Sequence, residues 1–254
     1  MRELSIALQI TALNNNYDYT VQLIELAFKK GAELHCIEQK PVLKEFIKTE
    51  KWANLEANYP DYRKFYFHSI DSVLRNDFRA RHECEEASRG TDSIIAIVER
   101  NYNNIVKIIK EKGHFPGEKM IGVKEMGDFS SWTCSYENNM VITTLLHYQL
   151  SFSSLEKELE KALIDGYLHP FFFAYIYEFQ KKFAENKNYD RIKKDINFKK
   201  PVLPDYEFNL VDPISKDIKR VNADRYKIGL CSFEVEKKKT AIDKKYNIEF
   251  DYIF

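Results

Sequence analysis

The sequence predicts a mainly α-helical fold: an irregular multi-helix domain with an N-terminal helical hairpin and at most a minor β element near the C-terminus. Three observations predict it. Apolar residues recur at helical spacing through most of the chain. Breakers are sparse, with 8 Gly and 7 Pro in 254 residues, which favours long helices over many short strands. Hydrophobic residues reach 44%, enough to give those helices a shared core. The expected organisation is a hairpin over 1–58 packed on a main helical domain over 59–254.

Taken in order, Val21, Ile24 and Phe28 form the stripe of a first helix over about residues 18–30, capped by Asp18 or Thr20 and ended by Gly31. Pro41 opens a second helix carrying Leu43, Phe46 and Ile47, which completes the hairpin. A long helix is expected over about 60–86, with Ile70, Val73, Leu74 and Phe78 as its seam. Another runs over about 92–112 behind Thr91, with Ile94, Val98, Ile105 and Ile108 in its seam and Gly113 at its end. Residues 113–117 must turn. The irregular stretch that follows, up to Asn139, offers Phe129, Trp132 and Tyr136 as anchors on the core.

Met140–Leu150 reads as a short apolar helix. Ser153 and Glu156 are spaced as a capping box for the next, which carries Leu155, Leu159, Ala162 and Leu163 and ends at Gly166. From Pro170 the run Phe171–Tyr177 is apolar on all sides, the signature of a central, buried helix. Residues 187–210 look loosely structured. Asp212 and Pro213 then open a helix with Ile214, Ile218 and Val221, ending near Gly229, and Ser232 is placed to cap one more. The tail from Ile248 to Phe254 alternates, as a lone strand or an extended strap would.

Charge excludes several partners. Lys plus Arg equals Asp plus Glu, 39 of each, so no global field draws in nucleic acid or an anionic membrane. The Lys-rich stretch Lys181–Lys200 is broken by Glu185, Asp190 and Asp195 and reads as a solvated surface. No run approaches the roughly 18 apolar residues of a membrane span, and the first residues are too polar for a signal peptide, so a full-length chain is expected in the cytoplasm. A trimmed leader would leave the location open. Cys36, Cys84, Cys134 and Cys231 lie far apart with no C-x-x-C among them. A reducing compartment is the simpler expectation, with two disulfides as the alternative.

No nucleotide-binding glycine loop, zinc-protease or serine-hydrolase motif occurs, and no cofactor is expected. The run His82-Glu83-Cys84-Glu85-Glu86 has metal-ligand composition, but neighbours on a helix point about 100° apart and cannot converge on one ion, so no metal is expected either.

Five polar residues instead stand on, or at the edge of, apolar faces. His147 shares a face with Thr143 and Met140, either as a core histidine bonded locally or as a general base. Asp77 and Arg81, four apart, form either a surface ion pair or an inward-facing pair at a site. Asn101 occupies an apolar seam, where an asparagine fixes register or bonds a neighbouring backbone. Arg225 continues the row of Ile214, Ile218 and Val221, and an inward arginine needs a carboxylate or an anionic ligand. Converging, the five make a polar cluster that is either a structural network or a pocket.

The order of these residues resembles a bacterial helical family of unknown function, often preceded by tetratricopeptide-like helices. Its D-x-x-x-R helix is matched by Asp77 and Arg81. Its asparagine helix, Gly-aromatic-Pro turn and Ile-Gly are matched by Asn101, Gly113, Phe115, Pro116, Ile121 and Gly122. Its Gln-His helix is matched at His147, and its later Gly-x-x-x-Pro step and Ala-Tyr-x-Tyr helix by Gly166, Pro170, Ala174, Tyr175 and Tyr177. The resemblance covers roughly residues 60–235. Leu146 stands where the family has Gln, Glu178 and Phe179 where it has Asp-Arg, and His114 is inserted. The family's Tyr-Gly-x-Gln stretch has no counterpart. The resemblance implies a helical fold and no particular chemistry. The hairpin-like N-terminus, the lack of a catalytic motif and the many Tyr residues make an adaptor or immunity-type binder of another bacterial protein the leading expectation, and a hydrolase-like enzyme with a polar pocket around His147, Asp77 and Arg81 the alternative.

Overall fold

The structure, a computed structural model, describes residues 2–122, 139–148, 150–185, 203–210 and 217–248. All regular structure among them is helical. The chain forms α1 (Arg2–Leu13), α2 (Tyr17–Lys29), α3 (Leu34–Glu38), two 3-10 turns (Pro41–Leu43 and Phe46–Lys48), α4 (Glu50–Ser69), α5 (Ser72–Ala87) and α6 (Ile94–Lys112). It continues with α7 (Glu118–Ile121), α8 (Asn139–His147), α9 (Ser151–Ile164), α10 (Pro170–Glu185), α11 (Ile218–Lys227) and α12 (Phe233–Tyr246). A mainly α multi-helix fold is therefore what the chain adopts. No described helix is long and apolar enough to cross a membrane. The anchors Phe129, Trp132 and Tyr136, the opening Asp212-Pro213-Ile214 and the alternating tail beyond Ile248 lie outside the described residues.

The described residues divide into two units: those within 2–75, 121–122 and 234–248 make the first, and those within 76–120 and 139–233 make the second. In the first unit α2 packs on α1 and α4. Ile24 and Phe28 of the expected stripe are fully buried among Leu8, Phe46 and Trp52, and the Phe28 ring meets the edge of Tyr59 at 4.9 Å. Asn16, rather than Asp18 or Thr20, caps α2, accepting from the Tyr19 N–H, and Gly31 follows its end at φ 101°. The expected helix from Pro41 is two 3-10 turns instead. The longer helix begins earlier than its proline suggests, because Thr49 accepts from the Trp52 N–H and sets the first turn of α4. Pro60 lies inside α4, so no helix starts there.

The single helix expected over 60–86 is broken at Ile70, which is extended at φ −120°, ψ 158°. Asp71 restarts the helix by accepting from the Leu74 N–H. The break resets the helical register. Of the expected seam, Phe78 is buried but Val73 is 82% exposed, and Arg75 and Glu85 turn inward beside Phe78. Cys36 is disulfide-bonded while Cys84 and Cys231 are free, so a chain of thiols throughout is not what forms.

In the second unit α8 packs on α6, α9 and α10. The α6 seam is as its period predicts: Val98, Asn101, Ile105 and Ile108 are buried, and Gly113 closes the helix at φ 73°. The run from Pro170 is buried at Phe173, Ala174, Ile176 and Tyr177, as expected of a central helix. The Ser153–Glu156 box does not cap α9. The helix begins at Ser151, and Gln180 of α10 accepts from the N–H groups of Phe152 (2.7 Å) and Ser153 (3.3 Å). Gln180 is itself buried, so one carboxamide joins two helices through the buried N–H of Phe152 and the partly buried N–H of Ser153. Gln180→Leu keeps the volume and orphans both donors. It is expected to cost about 2 kcal/mol in urea unfolding, the desolvation penalty of a buried donor. A loss under about 0.5 kcal/mol would mean that water enters to replace the carboxamide.

Candidate functional site

A fully buried carboxylate organises the second unit. Glu85 has no exposed surface and accepts three side-chain hydrogen bonds: from His147 Nδ1 at 2.5 Å, from Thr144 Oγ1 at 2.8 Å and from Asn101 Nδ2 at 3.0 Å. Helical spacing explains the convergence. Thr144 and His147 stand three residues apart on α8 and so share a face. Asn101 sits in the buried seam of α6. On α5 the positions 77, 81 and 85 are four apart and form one row.

That row continues the network outward. Arg81 donates from Nε to Asp77 Oδ2 at 2.8 Å, and Asn104 donates to the same oxygen at 3.2 Å. Asn101 also donates to the Arg81 carbonyl at 3.3 Å. The gradient of burial follows the row: the Glu85 side chain is closed to solvent, that of Arg81 is 27% exposed and that of Asp77 is 42% exposed. His147 is 29% exposed, so its imidazole joins the buried carboxylate to the surface. Beside it, the Tyr148 ring stacks on Tyr102 with centroids 3.9 Å apart, and the Tyr102 hydroxyl is bonded to Ser154.

Burial alone pushes the Glu85 carboxyl up, because a charge without water is costly. The hydrogen bonds from His147, Asn101 and Thr144, with the charge of His147, outweigh burial and hold it below its ordinary value. Glu85 is therefore an anion near neutral pH. An ionised carboxylate accepts only, so His147 Nδ1 is the donor and the other ring nitrogen, Nε2, is the atom left for proton transfer. Asn101 Oδ1, a buried acceptor, bonds no described residue, because the amide turns both its donor bonds toward the Glu85 carboxylate and the Arg81 carbonyl.

Of the five residues singled out in the sequence, Asp77, Arg81, Asn101 and His147 belong to one hydrogen-bond network, with Asp77 at its outer end. Arg225 does not join them. It is buried on α11 and donates to the carbonyls of Cys231 (2.7 Å) and Phe208 (3.0 Å), tying the chain on either side of α11 to the helix. Glu85, the centre, is missing from the sequence-derived set. It lies within the run His82–Glu86, where the 100° step between neighbours exposes Glu83 and Cys84 and buries Glu85. Its seven-residue distance from the buried Phe78 was the available signal. Thr144 and Asn104 are further additions. Among the described residues, no three His, Cys, Asp or Glu side chains gather to hold a metal ion.

No family model matches the chain, and neither a curated protein nor a solved structure matches it.

Proposed function

We propose that this protein is a hydrolase-like enzyme in which His147 is the general base. The observation that carries the proposal is the Glu85–His147 pair: a buried anion holds one ring nitrogen, and the imidazole reaches solvent with the other free to take a proton. Carboxylate, imidazole and an activated water form the minimal apparatus for hydrolysis. Glu85 orients the ring and stabilises the imidazolium as it forms, as the third member of a triad does. Arg81 lies one turn from Glu85, and with its Nε committed to Asp77 it keeps its terminal nitrogens for an anionic group on the substrate. Asn101 Oδ1 adds an acceptor for an incoming donor. Of the residues that carry the family resemblance on these helices, Asn101 and His147 bond Glu85 directly, and Arg81 and Asp77 extend the same hydrogen-bond network, which supports a shared task beyond packing.

Binding to another protein, the other expectation, has less on its side. The large apolar side chains most exposed to solvent, Phe65, Val73, Ile95, Ile164 and Tyr226, each stand on a different helix. Singly exposed apolar residues are ordinary.

Screening the full chain against activated carboxylic and phosphoric esters tests the proposal, with His147→Gln beside it. Gln keeps a donor for Glu85 and cannot take a proton. On any substrate turned over, the variant is expected to lose about 10²–10⁴-fold in rate, the range for removing a general base. A folded His147→Gln protein with the wild-type rate, or no turnover across the panel, would overturn it.

A further inference from the structure

We infer that the first unit binds a small oxyanion, a phosphate or a carboxylate, on the free edge of Arg75. Arg75 is among the largest fully buried side chains of the molecule, at 2% exposure. Its Nη1 donates to the Ile121 carbonyl at 2.7 Å and to the Tyr66 hydroxyl at 3.4 Å. Both acceptors are neutral. The other two nitrogens, Nε and Nη2, are closed off from solvent and have no hydrogen-bond partner among the described residues, and no described carboxylate lies within ion-pair distance.

The identity of those two nitrogens selects the ligand. Nε–H and Nη2–H lie on one side of the guanidinium and point the same way, the fork that takes two oxygens of a carboxylate or phosphate. A guanidinium stays charged in a protein, so burial cannot be relieved by losing a proton. A charge held out of water needs an opposite charge, and among the described residues only a carbonyl and a hydroxyl are directed at it. Tyr66, which holds Nη1, carries a second cation: the Arg63 guanidinium stands 5.3 Å over its ring. Gly122 fixes the other wall. Its φ is 72°, and a Cβ there would lie 2.0 Å from the Tyr66 hydroxyl and 3.1 Å from Arg75 Nη1, so the backbone can approach only without a side chain. Near-complete burial restricts the occupant to a few atoms.

The arrangement is independent of the His147 site, so its test needs no enzymatic readout. Full-length protein is titrated with sodium phosphate, and separately with acetate, at constant ionic strength made up with chloride. Calorimetry reads stoichiometry, and the thermal midpoint reads linkage. One saturable oxyanion per chain, raising the midpoint where chloride does not, is the expected result. Acetate matching phosphate would assign a carboxylate ligand, and phosphate alone would assign a phosphoryl group. Arg75→Lys keeps the charge and loses the fork. It is expected to bind about tenfold more weakly, the value of one charge-assisted hydrogen bond. Saturable binding with unchanged affinity in a folded Arg75→Lys protein overturns the inference, as does a wild-type chain that neither oxyanion stabilises beyond chloride. If Arg75→Lys does not fold, Tyr66→Phe removes only the hydroxyl that positions Nη1. Weaker binding in that variant then supports the site, and unchanged affinity refutes it.

Discussion

Glu85→Gln is expected to destabilise the protein by about 3 kcal/mol, the upper end of the range for hydrogen bonds to a charged group, because three donors converge on this buried carboxylate. The glutamine fills the same space but brings one acceptor oxygen where three donors converge. It also turns an NH₂ toward one of them. His147, Thr144 and Asn101 cannot all find new partners in the second unit, and Asn101 already has an unpartnered oxygen. Thr144→Val, which removes one donor and leaves the anion, should cost only about 1 kcal/mol. Urea unfolding of the three proteins separates a charge-centred network from a set of independent bonds. Equal costs for the two variants would show that the charge contributes nothing.

The pH dependence gives this prediction a sign. The native carboxyl sits below its ordinary value of 4.5, so Glu85 binds protons less readily in the folded chain than in the unfolded one. Its stabilisation is complete above the unfolded value and is lost as pH falls through the lower native value. Wild type should therefore lose its advantage over Glu85→Gln as the medium is acidified below about pH 4.5, since the variant has no proton to gain at this position. A gap that stays constant down to about pH 3 would mean that the carboxyl binds protons equally in the folded and the unfolded chain.

How much of this was legible depends on whether local pattern or a distant partner decides each residue. The α6 seam reads directly, because Val98, Ile105 and Ile108 obey one period and Asn101 falls in it. The apolar run from Pro170 announces its burial by composition alone. Assigning Val73 to the seam failed at the extended Ile70. The break exposes Val73 in the first turn after it while Phe78 stays buried, and no proline or glycine marks it. The Ser153 box failed for another reason: Gln180, 27 residues later, supplies the oxygen that α9 needs, and local spacing contains no trace of it. Glu85 meets the second of these obstacles. Its spacing from Phe78 places it on the buried face, but its partners on α6 and α8 are 16, 59 and 62 residues away. Arg225 had an inward position that the pattern showed, but two of the acceptors it meets are backbone carbonyls, which every residue type supplies equally.

Gly117→Ala is expected to cost more than Gly113→Ala, although the two glycines bound the same turn. Gly113 ends α6 at φ 73° with nothing within 4 Å of where a Cβ would stand. Alanine there meets only the strain of a left-handed backbone, about 1 kcal/mol. At Gly117 the obstacle is steric. A Cβ would stand 1.8 Å from the Tyr167 carbonyl oxygen and 2.8 Å from its carbon, both backbone atoms that no rotamer change can move aside. Tyr167 is itself held: its N–H bonds the Ala162 carbonyl, its ring stacks on His114 at 4.9 Å, and the Lys119 ammonium stands 5.3 Å above that ring. Alanine must therefore push apart the α6–α7 turn and the end of α9. Overpacking of a settled contact costs about 3 kcal/mol, and a backbone-to-backbone contact belongs at the upper end of that scale. Urea midpoints for the two variants measured side by side decide it. If Gly117→Ala proves the milder change, the close approach of the 115–117 turn to Tyr167 is not how the chain folds, and the second unit is built differently at that corner.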